Sequence, residues 1–169
     1  LHLSDYWGSS SFSAIIDADL TASSIADVQG TIDLDDFTMA DRDTTRLTLD
    51  NLHLRSGYDG DRHFIRMKSD FGEARLSGQF DLATLPYSFA TLLESAGLTA
   101  TGKHSADNDF TLNMRFTDSK WMQQLAGLPI QLNGPLNLDA QVVDGQKHID
   151  IVANVPSFNY ADNQFRNAT

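Results

Sequence analysis

No cysteine occurs in the 169 residues. That excludes disulfides, thiolate metal sites and a cysteine nucleophile, but leaves the compartment open, because many exported proteins also lack cysteine. No apolar run approaches the ~20 residues that a membrane-crossing helix needs, and no signal-peptide pattern is visible in the sequence. The chain starts at Leu1 rather than at methionine. It is therefore expected to be an internal piece of a longer protein, with residues 1–169 forming one segment cut at both ends. Cations are scarce too: 12 Lys and Arg stand against 23 Asp and Glu, for a net charge of −11. That balance speaks against nucleic acid or an anionic membrane surface as a partner, since phosphate binding needs clustered cations.

Catalytic signatures are equally scarce. There is no Gly-x-Ser-x-Gly elbow to anchor a hydrolase triad, and no Gly-x-Gly-x-x-Gly or Walker pattern to cradle a phosphate. The histidines are His2, His53, His63, His104 and His148, none at His-x-x-x-His spacing. His53 and His63 flank a turn at 57–61 and could meet across a hairpin as a zinc pair. A cross-strand polar pair on the wet face is the preferred reading. Asp59-Gly60-Asp61 hints at calcium but lacks the remaining ligands of an EF-hand loop, and reads as a turn. The many carboxylates, Asp17, Asp19, Asp33 and Asp35 among them, alternate with apolar residues and so face solvent, where nothing raises a pKa for glycosidase work. Trp7 and Trp121 could stack on sugars, but Trp121 sits in a helical apolar stripe. No enzyme, metal or cofactor is expected.

What the chain has in abundance is a two-residue hydrophobic rhythm. Ala14, Ile16, Ala18 and Leu20 alternate with polar or exposed-type positions, as do Ile32 and Leu34, Leu47 and Leu49, Ala74 to Leu82, Phe110 to Phe116, Leu136 to Val142, and Ile149 and Ile151. Successive strand side chains point to opposite faces, so each run has one oily and one wet side. Strands are expected at about 12–20, 28–39, 46–55, 63–69, 73–82, 109–116, 135–143, 147–155 and 158–165, with hairpin turns at 57–61 and at Asp144-Gly145. The parity breaks twice. Ile32 and Leu34 give way to Phe37 and Met39 across Asp35-Asp36, and Leu47 and Leu49 to Leu52 and Leu54 across Asp50-Asn51. One β-bulge in each strand would restore the face. Gly30, Gly78 and Gly134 each begin a Gly-x-apolar-x-apolar run, where glycine marks a bend or a close approach.

Two segments switch to helical spacing. Leu85, Phe89, Leu92 and Leu93 share one face behind a Thr84 cap and Pro86, and Trp121, Met122 and Leu125 form a stripe after Asp118. Both helices are short and must pack on something apolar, most simply the sheet's oily face.

The stretch from Leu47 to Leu93 resembles a known family. Leu49 to Ser56 reads as a Leu-Asp-Asn-Leu-x-Leu-x-Ser strand, followed by the Gly60-Asp61 turn, the Ser69-Asp70-Phe71 step, the Ala74 to Leu82 strand and the Leu85 to Phe89 helix start. This pattern is similar to the TamB family of the AsmA-like group, in its Bacteroidetes form. The resemblance implies a mainly β fold: an elongated, curved antiparallel sheet of the open half-barrel or β-taco type, with an apolar concave face and two short helices. It implies a periplasmic segment of a protein anchored in the inner membrane, moving phospholipid to the outer membrane and aiding outer-membrane protein assembly with a BamA/TamA-like partner. It carries no catalytic residue. Candidate groove residues come from the alternation: Ile32, Leu34, Leu47, Leu49, Leu76, Phe80, Leu112 and Met114. Candidate covering residues are Leu85, Phe89, Leu92, Trp121 and Leu125. Two other readings stand beside it: a self-contained β-sandwich module for carbohydrate or Ca²⁺, and a structural segment binding a protein, or a second copy of itself, through free sheet edges.

Overall fold

The structure is a computed structural model and describes residues 11–40, 46–85, 87–88, 108–120, 130–143, 148–160 and 163–168. The fold is mainly β. Ten strands follow one another: β1 (Ser11–Thr21), β2 (Gln29–Ala40), β3 (Arg46–Asp59), β4 (Arg62–Ser69), β5 (Gly72–Gln79), β6 (Asp109–Phe116), β7 (Ile130–Leu132), β8 (Leu136–Val143), β9 (His148–Tyr160) and β10 (Asn163–Ala168). They form one antiparallel sheet in the order β1-β2-β3-β4-β5-β6-β8-β9-β10, with β7 also paired to β9. The order does not return on itself, so the sheet is open.

The turns explain the local register. A Ser24 cap accepts from the Ala26 amide, and the Asp27 carboxylate accepts from the Ser24 amide at 2.6 Å, folding residues 25–27 into one 3₁₀ turn between β1 and β2. Hydrogen bonds from the Ser23 hydroxyl and the Ser24 amide hold the Asp27 carboxyl down at about 2. The β3–β4 hairpin is tighter than expected: Asp59 pairs with Arg62, leaving only Gly60-Asp61 as the loop, with Gly60 at φ +64°. Gly57 and Tyr58 therefore belong to a strand rather than to the turn.

Both expected bulges are present. The β1–β2 register shifts by one residue between Ser13 and Ile15, where Asp36 adopts φ +51°. The β2–β3 register runs unbroken through the same level, with Asp35 opposite Asn51 and Phe37 opposite Leu49. Asp36 and Asp50 are thus extra residues facing each other, and their two bulges cancel in the ladder. The amide of Asp50 donates to the Asp70 carboxylate at 3.1 Å, which ties the bulge to the β4–β5 turn. A third break lies between β7 and β8. Leu132 pairs with Phe158 but Asn137 with Asn154, so β7 and β8 are one strand interrupted at residues 133–135, beside Pro156. The sequence reading ended a strand at Val155, before this proline, and missed β7. In the structure β9 runs through it, because the proline sits at the break, where no ladder donor is needed.

The two expected short helices are not found as complete elements: among the described residues only Leu85, Tyr87, Ser88 and Lys120 have helical backbone, and the remainder of both spans lies outside them. Asp81 caps the turn after β5, and Thr84, whose carbonyl accepts from the Tyr87 amide at 3.0 Å, stands just before the first helical residue, Leu85. The Asp81 carboxylate accepts from the Ala83 amide at 2.7 Å, and the Asp81 carbonyl accepts from the amides of Thr84 and Leu85. Asp118 does accept from the Lys120 amide at 2.8 Å, as a cap would. Phe89, Leu92, Trp121 and Leu125 lie outside the described residues. The 81–88 turn is fixed from below by Asn108, which is 2% exposed. Its Oδ1 accepts from the Asp81 amide at 3.0 Å, and its Nδ2 donates to Ser88 Oγ at 2.9 Å and to Thr84 Oγ1 at 3.1 Å.

Gly78 shows why glycine recurs in these strands. A Cβ there would stand 2.0 Å from the Asp109 carbonyl oxygen, and at Gly30 (φ +129°) 1.9 Å from that of Asp19. Gly78→Ala is expected to destabilise by about 2 kcal/mol or more, because backbone must move. Gly60→Ala meets no atom within 4 Å and costs only the left-handed conformation, about 1 kcal/mol. Urea unfolding of both variants checks the order; equal losses would refute the close-approach account.

Candidate functional site

Register places side chains from different strands in rows across the sheet, and opposite partners share a face. One row reads Ala18, Ile32, Leu54, Met67, Ala74, Met114, Leu138 and Ala153, from β1 to β9. All eight are apolar. At ~4.8 Å per strand the row spans about 34 Å.

A packed core lies on either side of it. Toward one end of the strands, Leu76, Leu85, Phe110, Leu112, Ala140 and Val142 form a core, with Val142 at 0% exposure. Toward the other end, Met39, Leu47, Leu49, Phe71 and Phe116 form a second core, in which the rings of Phe71 and Phe116 lie 6.0 Å apart. Between them the middle row is only half-buried from Ile32 to Ala153, and Ala18 on β1 is exposed. Met114 touches both cores. The result is an apolar stripe, perpendicular to the strands, walled by two packed clusters.

The expected groove residues divide accordingly. Ile32 and Met114 lie in the stripe, and Leu34 beside it, opposite Leu52 and Ile16. Leu76 and Leu112 belong to the first core, Leu47 and Leu49 to the second, all under 9% exposed. Among the expected covering residues, Leu85 is buried in the first core. Leu54, Met67 and Leu138 were not singled out, although the strand alternation contains them; only the strand-to-strand register reveals that they align.

Phe80 belongs to a different arrangement. The His63 ring is stacked between Tyr58 and Phe80, with centroids at 4.6 and 4.7 Å. His63 is 1% exposed. The Ser56 hydroxyl donates to the Val28 carbonyl at 2.7 Å, so its oxygen accepts from His63 Nε2–H at 2.8 Å. His63 Nδ1 then has no hydrogen-bond partner. A serine beside a histidine suggests a nucleophile and its base. Here the serine proton is already committed to a backbone carbonyl and no carboxylate orients the imidazole, so the pair lacks the activation that chemistry requires. The zinc pair considered for His53 and His63 does not form either. His53 pairs with Asp33 across β2–β3 on the polar face, while His63 is buried on the apolar one. No cluster of three or more potential metal ligands exists among the described residues.

Comparison with known proteins finds no match: no family model, no curated protein and no solved structure is similar to this chain.

Burial pushes the His63 imidazole below its ordinary range, opposed by the Val28 carbonyl. The unfolded group titrates near ~6.5. Below that value the unfolded chain binds a proton that the folded one refuses, so stability is full above about pH 6.5 and is lost as the pH falls toward the folded pKa. Replacing His63 with leucine is expected to flatten this acid-side loss in pH-dependent thermal melts. An unchanged slope in the variant would contradict the assignment.

Proposed function

We propose that this chain is a non-enzymatic segment of a TamB-like, envelope-spanning protein, and that its apolar stripe carries the acyl chains of phospholipid. The observation that supports the reading is the direction of the stripe. It runs across the strands, so every strand added at an edge would lengthen it, and a long sheet of such units would be a continuous apolar path. A lipid needs no specific polar contact to follow it: burial contributes about 0.8 kcal/mol per methylene, so ten methylenes half-covered gain about 4 kcal/mol.

In this reading the sheet is a curved, taco-like half-barrel, bent by the bulges at Asp36 and Asp50, with the apolar face concave. The parent protein is anchored in the inner membrane, the segment stands in the periplasm, and a BamA/TamA-like outer-membrane protein receives its far end. The edges fit such continuity. Among the described residues β1 is paired on one side only, and its Ile15 and Ile16 are 62% and 66% exposed. A bare edge of this kind templates further strands, which in the isolated segment favours pairing with a second copy.

The test is photo-crosslinking with a phospholipid carrying a diazirine in its acyl chain. Label is expected on peptides containing Met67, Met114 and Leu138, and is expected to fall in folded Met67→Glu and Met114→Glu variants. Label spread evenly over both faces, or unaffected by the two substitutions, would refute the proposal.

A further inference from the structure

The opposite, polar face of the same strands concentrates positive charge. Arg55, Arg66 and Arg75 stand directly opposite one another on β3, β4 and β5. In the adjacent row, His53, Lys68, Glu73 and Arg115 follow from β3 to β6. These side chains line an open cleft of about 690 Å³. Five of the chain's 12 Lys and Arg are therefore gathered on one patch of a protein with a net charge of −11. Like charges placed directly opposite each other destabilise a sheet. Three arginines in one row thus call for an account that solvation does not supply.

The local structure holds them in place rather than letting them disperse. Phe64 lies on this face, 9% exposed, with its ring over Gly57, where a Cβ would come within 3.0 Å of ring carbon Cζ. The Arg66 guanidinium sits over that ring at 4.8 Å from its centroid and that of Arg55 at 5.9 Å. Cation–π contact fixes the guanidiniums without neutralising them. Among the described residues no ion pair joins any of the five cations to a carboxylate. Glu73 stands in register between Lys68 and Arg115, and Asp139 at the cleft's rim accepts from Asn113 Nδ2 at 2.6 Å.

We propose that this cleft binds a compact ligand carrying two or more phosphate groups. Planar guanidiniums suit phosphate oxygens bidentately, and the two rows offer cations ~4.8 Å apart across strands and ~7 Å apart along them. The charged side chains point to the face away from the apolar stripe, although Met67, Ala74 and Met114 also border the cleft, and the proposal does not depend on the lipid-carrying reading.

Calorimetric titration at low salt with inorganic tripolyphosphate tests this, alongside flotation with phosphatidylcholine vesicles with and without cardiolipin. Expected is binding that weakens as salt rises. Arg66→Gln and Arg75→Gln are each expected to lower affinity by about tenfold or more while leaving the thermal melt intact. Lys120→Gln, a cation outside the cleft, is expected to leave binding unchanged. Response to tripolyphosphate alone assigns the site to a soluble phosphate, and added response to cardiolipin vesicles assigns it to a lipid headgroup. No tripolyphosphate binding, binding only to a control single-stranded oligonucleotide, or equal losses in Lys120→Gln and Arg66→Gln would each overturn the proposal.

Discussion

Strand register is the constraint on which the rest of this structure depends. A slip of one residue in any pairing would send that strand's apolar set to the wet face. Eight strands hold the same parity from Ala18 to Ala153. Both packed clusters, the half-buried stripe between them and the arginine row behind it follow from that one alignment. Short connections enforce much of it. The two-residue Gly60-Asp61 loop and the β4–β5 turn at Asp70-Phe71 leave no slack, and the glycines at 30 and 78 allow neighbouring backbones to close to distances that no side chain would permit.

The bulges are what let long strands obey this constraint. β3 is 14 residues long, and an unbroken alternation over that length would place either Leu47 and Leu49 or Leu52 and Leu54 in water. The extra residues at Asp36 and Asp50 reset the parity in both strands at the same level. All four leucines therefore stay on the apolar face, and the ladder between β2 and β3 loses no register. Acidic residues suit this position. They are exposed, aspartate tolerates the left-handed backbone better than most residues, and the amide of Asp50 finds the carboxylate of Asp70 as its acceptor.

Features that depend on one strand were legible in the sequence: the strands themselves, their oily face, both bulges and the strand glycines all follow from local period and local breaks. Features that depend on two strands were not. Asn108 holds Asp81, Thr84 and Ser88, partners 20 or more residues away that no local pattern marks. The Asp81 cap of the turn before Thr84 has no sequence signal of its own, because its amide is held from another strand end by Asn108. β9 was cut at Pro156 because the sequence does not show that its partner strand breaks there too. His53 and His63 were considered as a metal pair from their positions around one turn, but strand parity puts them on opposite faces.

Net charge is blind to register for the same reason. An excess of carboxylates over the whole chain argues against anionic partners only if the charges are mixed on the surface. In a single-layer sheet they need not be, because register sorts side chains into rows, and a row samples every second residue of several strands. Here the acids concentrate toward β1 and β2, at Asp17, Asp19, Asp33 and Asp35, while the cations gather across β3 to β6. At physiological salt exposed charges are screened within about 8 Å, less than the width of two strands. A ligand at Arg66 and Arg75 therefore senses those rows rather than the total of −11. The potential that matters for binding is set by pairing, and it changes sign along a sheet whose overall charge does not.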